Sequence, residues 1–217
     1  NISNFKKNVV ALSNEQKIKS ENIVYNKNEL SFLGATTIYN ENFTIYCNKG
    51  YLEKNNKLEI SDGLIIESKN KTIKADFLNR DIKKNKNEFI NNIHLIINDS
   101  THIFGHHLLE LENFATITNE SKIKLLHKTD STIITGDSII INNQLETATV
   151  NNSVIINRLD LKGKCNKLEF ESNYTDINML QKPIIWLKNT QLTGEKIHLY
   201  CKKQELDGIY IPLNPFI

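Results

Sequence analysis

A small residue recurs at a nearly constant interval along this chain, and a fixed period limits the architecture before any single side chain does. Ser20, Cys47, Ala75, Gly105, Gly136, Cys165 and Gly194 are separated by 27, 28, 30, 31, 29 and 29 residues. Each stands in one local pattern: an aliphatic residue, any residue, the small residue, two polar or variable residues, then an aliphatic or aromatic stretch. ITGDSIII from Ile134 and LTGEKIHLY from Leu192 are its clearest copies. IKSENIVY from Ile18, IYCNKGYL from Ile45, IKADFL from Ile73, IFGHHLL from Ile103 and GKCNKLEF from Gly163 are weaker ones. Between them lies a second family of segments, among them FLGATTIY from Phe32, ISDGLIIE from Ile60, INNIHLII from Ile90, VNNSVIIN from Val150, LQKPIIWL from Leu180 and LDGIYIPL from Leu206. Each repeat therefore holds two half-units.

Within a half-unit the apolar residues alternate, as in a strand with one buried face. Leu161, Gly163 and Cys165 run at period two, and the phase then slips by three to Leu168 and Phe170. The same slip leads from Gly136 to Ile139 and Ile141, from Gly194 to Ile197 and Leu199, and from Ile90 to Ile93, Leu95 and Ile97. An odd step turns later residues to the opposite face of a straight strand, so the pattern predicts a bend or bulge that keeps them pointing inward. A small residue beside each bend fits a tight inside corner, where Gly or Asn also tolerates unusual dihedrals. Turn signals at Lys54-Asn55-Asn56, Asn85-Lys86-Asn87 and Asn142-Asn143 favour hairpins between antiparallel strands. The expectation is an all-β, elongated, bent antiparallel β-jelly-roll of about seven two-strand repeats over residues 17–217. Residues 1–16 are read as a lead-in, loose or holding a short helical turn. Pro212 and Pro215 look suited to ending strand pairing at the C terminus.

Composition narrows the function classes. Twenty-seven basic residues against 25 acidic ones leave a net charge of +2, too weak a field for a dedicated nucleic-acid binder. Asn and Ile occur 31 times each, a skew of the kind an AT-rich genome produces, so surface Asn and Lys carry little functional meaning by themselves. No apolar run of 18 residues exists, and nothing here is read as spanning a bilayer. The first residue is Asn1 rather than methionine, which points to a leader already removed and leaves export as an option. Cys47, Cys165 and Cys201 form no CxxC pair, so neither a disulfide framework nor a zinc ribbon is indicated.

The tandem ITGDSIII and LTGEKIHLY half-units, with the segment from Leu159 to Ile211 that contains KPIIW, resemble the OstA-like proteins of Bacteroidota-type bacteria. Those are related to the LptA and OstA periplasmic domains of lipopolysaccharide transport. The resemblance runs over roughly Lys17 to Ile211 and departs from the family where glycines give way to Ser20, Cys47, Ala75 and Cys165. It implies a non-catalytic periplasmic protein, exported and in some members associated with the outer membrane, that holds acyl chains of lipopolysaccharide or a related lipid. It also implies partners in the transport bridge, further copies included, that join through exposed strand edges. No cofactor follows from it. An acyl chain gains about 0.8 kcal/mol per methylene removed from water, so an Ile- and Leu-lined groove suffices without a catalytic group. The lipid-groove candidates are Ile134, Ile139, Leu161, Leu168, Phe170, Leu192, Ile197 and Leu199. The same residues would equally well fill a closed core.

Other constellations point away from catalysis. His106 and His107 are adjacent and face opposite sides of a strand, and no ligand-spaced Cys or carboxylate joins them or His102, so a metal site is not expected. Asp76, Asp137 and Glu195 follow the small residue at matching corners, where short acids cap backbone amides. The sequence contains no GxSxG, P-loop, HExxH or GxGxxG motif. Lys83, Lys84 and Lys86 read as a solvated hairpin tip in preference to a contact with lipid head-group phosphates, and Trp186 as core or groove rim. The readings weighed against lipid handling are a structural or adhesive β-solenoid with parallel coils and no cargo, and a carbohydrate-active β-helix.

Overall fold

Bent antiparallel strands make up the protein. The computed structural model describes residues 2–12, 16–54, 56–171, 176–202 and 205–212, and among them there is no helix. The strands are β1 (Ile2–Leu12), β2 (Lys17–Asn26), β3 (Glu29–Tyr39), β4 (Phe43–Glu53), β5 (Lys57–Ser68), β6 (Lys71–Asp81), β7 (Lys86–Ile97), β8 (Thr101–Leu111), β9 (Phe114–Leu126), β10 (Ser131–Asn142), β11 (Thr147–Asn157), β12 (Leu161–Phe170), β13 (Asp176–Leu180), β14 (Ile184–Leu187), β15 (Thr190–Thr193), β16 (Lys196–Lys202) and β17 (Glu205–Tyr210). They fall into two compact units, Asn1–Asp99 with His106–Glu112, and Ser100–Gly105 with Asn113–Ile217. Every register described is antiparallel, and most strands pair with their neighbours in sequence. The parallel coils of the solenoid reading are therefore not found.

The long strands bend near their middle, and the register shows how. In β5, Ser61 pairs with Phe77 and Leu64 with Ala75, so Asp62 and Gly63 together oppose the single residue Asp76. Both have positive φ, 65° and 71°. The same two-against-one bulge recurs at Lys7-Asn8 in β1, Asn91-Asn92 in β7, Asn119-Glu120 in β9 and Asn152-Ser153 in β11, all with positive φ. Two left-handed residues in a row swing the strand around and keep both halves facing one interior. Asn dominates these pairs because its short side chain tolerates that region better than other non-glycine residues.

Two roles that the sequence merged at one position are therefore separate. Six of the seven small residues lie on β2, β4, β6, β8, β10 and β12, beside the residue that opposes the bulge, with Gly194 between β15 and β16, and none of their glycines has positive φ. They are small for want of space: a Cβ on Gly136 would stand 2.5 Å from Val150 Cγ1 and 3.1 Å from the Asn151 carbonyl oxygen. The inward phase consequently slips by three on these strands, as at Cys165 to Leu168, but by four on the bulged strands. In β7 the inward residue before the corner is thus Phe89, 1% exposed, and not Ile90.

The last repeats use the same device with the strands broken. β12 pairs with β13 through residues 167–170 and with β14 through residues 161–164. β13 and β14 are one bent strand interrupted at Gln181 and Lys182, both of positive φ, where Pro183 cannot donate to the ladder. β16 and β15 continue opposite them in the same way, broken at Gly194-Glu195.

Bending divides each unit into two walls. In unit 1 the first wall is formed by residues 17–20, 36–39, 43–47, 64–68, 71–75 and 93–97. The second is formed by residues 22–26, 29–33, 49–53, 57–61, 77–81, 86–90 and 106–111. Turns at the wall margins hydrogen-bond to the next turn along: Lys54 N donates to the Asn28 carbonyl at 2.9 Å and Ile82 N to that of Asn56 at 2.9 Å. Facing side chains such as Ile45, Ile60, Ile73, Leu78 and Phe89 are buried, each worth roughly 1.5–3 kcal/mol.

Residues 2–12, expected as a loose lead-in or helical turn, instead form β1, which pairs with β2 from Ile2↔Asn26 to Leu12↔Lys17. Its inward positions Phe5, Val9 and Ala11 continue the alternation of β2, a signal masked by the flanking lysines and asparagines. Pro212 follows β17, while Pro215 and the Cys201 side chain lie outside the described residues. The corner mechanism gives a direct test: Gly136→Ala is expected to lower unfolding free energy by roughly 1–3 kcal/mol in urea titrations, because backbone and Val150 leave its methyl no room.

Candidate functional site

The interior of unit 2 brings the eight expected groove residues together. Ile139 and Leu168 belong to one unbroken cross-strand row: Ile117, Ile139, Val150, Leu168, Met179 and Ile197, in consecutive register across six strands. All six are 0% exposed. Five strand spacings make the row about 24 Å long. Phe170 and Leu199 lie in the next row, with Ile177 between them and Ala148 on the far side of Phe170. Across the interior, Ile134 and Leu192 share a row on the opposite wall with Ile156, Gly163 and Ile185. Leu161 lies one inward position further out on β12. Leu192 is half-buried, and the other seven candidates are buried.

These walls are in contact. A Cβ on Gly163 would stand 3.1 Å from Met179 Cε, so the methionine from one wall fills the space that the glycine leaves on the other. Met179, Val150 and Ile117 belong to the rows as fully as the eight expected residues. Their membership follows from strand register, which a repeat read along the chain does not supply.

Openings occur in unit 1. A pocket of about 690 Å³ lies on the outer face of its second wall, where Asn22, Leu33, Lys49 and Ser61 form one register row and Ser31 and Tyr51 part of the next. Gly50 forms part of its floor and leaves room for the Phe32 ring beneath, 2.1 Å from where a Cβ would sit. A second cavity, of about 230 Å³, lies between the two walls and is lined by Ile45, Ile73, Leu78 and Phe89 with Lys71 and Glu110 at its rim. At the start of the chain, Phe5 faces inward opposite Ile23 yet is 48% exposed, since β1 packs extensively against β2 alone among the described strands.

Among the described residues no three His, Cys, Asp or Glu side chains converge. His106 is exposed at a corner, while His107 Nε2 lies 2.9 Å from Glu88 Oε1, and this hydrogen bond pulls the Glu88 carboxyl below its usual range. Asp76 accepts from Asn92 Nδ2 at 2.8 Å, across the bulge, in place of the backbone cap expected of it. Lys83 and Lys84 lie in the β6–β7 turn, where Lys84 N donates to Asp81 Oδ1 at 3.0 Å. Trp186 is half-buried, its Nε1 donating to Gln191 Oε1 at 2.8 Å.

Cys47 and Cys165 are free, buried thiols, and burial pushes both from an ordinary 9.0 up to about 11. An unfolded thiol ionises at lower pH than a folded one here, so between about pH 9 and 11 the folded state holds more protons and stability falls as pH rises. Alkylation at about pH 8 is expected to leave both thiols intact until urea unfolds the chain. A Cys47→Ala, Cys165→Ala variant should show a shallower loss of stability than the parent over that window, measured by urea unfolding at stepped pH.

No protein-family model and no curated protein matches the chain. Among solved structures the chain is similar to the crystal structure of LptH, the LptA-homologous periplasmic component of the conserved lipopolysaccharide transport device from Pseudomonas aeruginosa. That likeness has a TM-score of 0.46 and 12% identity, and covers 51% of this chain and 82% of that one.

Proposed function

We propose that the protein is a non-enzymatic lipid-handling scaffold of the lipopolysaccharide-transport type, acting in the periplasm and taking acyl chains between its two walls. One observation carries the reading: the unbroken row from Ile117 to Ile197 faces a second aliphatic row across the interior of one bent sheet. A surface of that length and uniformity matches an alkyl chain, and it offers no polar group that would orient a reacting substrate. The resemblance of the ITGDSIII and LTGEKIHLY half-units to OstA-like proteins supports the same conclusion from sequence.

Because the walls touch at Met179 and Gly163, an entering chain displaces side chains instead of filling an existing void. Met is suited to that, being unbranched and able to re-pack. Partners of the same bent-strand type would join along β1, where Phe5 faces inward opposite Ile23 and is exposed.

Mixing delipidated protein with lipopolysaccharide whose acyl chains carry a photo-crosslinker is the direct test. Labelling is expected at Ile139, Leu168, Met179 and Ile197. Absence of labelling, or labelling confined to outward residues such as Ile140 and Ile155, would overturn the reading.

A further inference from the structure

One stretch of the unit 1 interior is polar. Lys71 and Arg80 on β6, Asn87 on β7 and Glu110 on β8 each stand two residues beyond an inward apolar residue, toward the strand ends. Those apolar residues are Ile73, Leu78, Phe89 and Leu108, all buried. The four polar residues rim the cavity of about 230 Å³ between the walls. Lys71 stands on the first wall and the other three on the second. Lys71 Nζ donates to Glu110 Oε1, and Asn87 Nδ2 donates to Glu110 Oε2 at 3.2 Å. The pair therefore bridges the walls above an apolar chamber.

Two rim atoms stay unsatisfied. Arg80 Nε is buried without an acceptor, and Asn87 Oδ1 is buried without a donor. The bond from Asn87 Nδ2 to Glu110 fixes the amide orientation, so turning the amide over would break it. Buried polar atoms in native proteins nearly always have partners. The charged lining residues are two cations and one carboxylate, which leaves positive charge in excess at the rim.

We propose that this rim is a headgroup site for a single-chain amphiphile with an oxyanion head, a carboxylate or phosphate monoester. The head accepts from Arg80 Nε, and a protonated oxygen or adjacent hydroxyl on it donates to Asn87 Oδ1. The chain enters between Ile45, Ile73, Leu78 and Phe89. A cavity of this size, below the usual range for small-molecule sites, has room for one chain and not several. The inference rests on the reading that interiors of this bent-sheet type take apolar chains, and adds a separate site in unit 1 with the sign of its head. Glu110 competes with the ligand for Lys71, so it limits affinity.

Calorimetric titration with octyl phosphate, 1-octanol and inorganic phosphate separates head from tail. Octyl phosphate is expected to bind about tenfold or more tightly than either of the others, as a charge-assisted hydrogen bond warrants. Arg80→Gln should abolish that advantage, and Glu110→Gln should increase it. These opposite signs distinguish a lost contact from a damaged fold. Equal binding of octyl phosphate and octanol, or parent-like binding by both variants, overturns the headgroup site and leaves chain binding standing. Inorganic phosphate binding as tightly as octyl phosphate overturns the amphiphile and makes the rim a plain oxyanion site. If neither octyl compound binds, this cavity takes no apolar chain and the inference falls, while the rows of unit 2 keep their own test.

Discussion

The two-against-one bulge at mid-strand is the constraint on which the rest depends. A straight strand of ten or more residues with this apolar pattern would expose half of its aliphatic residues, because a three-residue slip reverses the face. Inserting a pair of left-handed residues into alternate strands turns the chain back over itself, and one side chain opposite each pair spans the corner. Asp76 shows how the corner is braced, accepting from Asn92 directly across it. A left-handed conformation costs a non-glycine residue about 1–2 kcal/mol, and Asn bears it most readily among the non-glycine residues. Burial of the facing rows offsets that cost.

The sequence disclosed part of this architecture and concealed part for identifiable reasons. Gly136, Cys165 and Gly194 revealed the corner because a residue that must be small is easy to see in an aliphatic setting. The complementary pairs were harder to see. Asn91-Asn92 and Asn152 looked like compositional drift in a chain with 31 asparagines, yet their φ values of 61°, 49° and 59° show a backbone role. The inward residue of β7 is Phe89 and not Ile90 for the same reason, because the bulge at Asn91-Asn92 makes the slip four residues there instead of three.

Site-level information was less legible still. The aliphatic rows run perpendicular to the chain, so only register joins Ile117 to Met179 and Ile197. Lys71, Arg80, Asn87 and Glu110 are spread over 40 residues of a lysine-rich sequence, and nothing in their local context separates them from solvated neighbours. Folding makes them distinctive by turning four polar side chains inward at adjacent strand ends.

Pairing between sequence neighbours also governs how the molecule must assemble. Each hairpin closes a short loop and finds its next partner already adjacent, so ordering can spread strand by strand without a distant segment having to be found. Loss of order should follow the same track in reverse, starting where a strand has one neighbour, as β1 has, and moving inward. Breathing along β1 would bare the unit 1 interior one hairpin at a time, with Phe5 and Ile23 uncovered before Phe32.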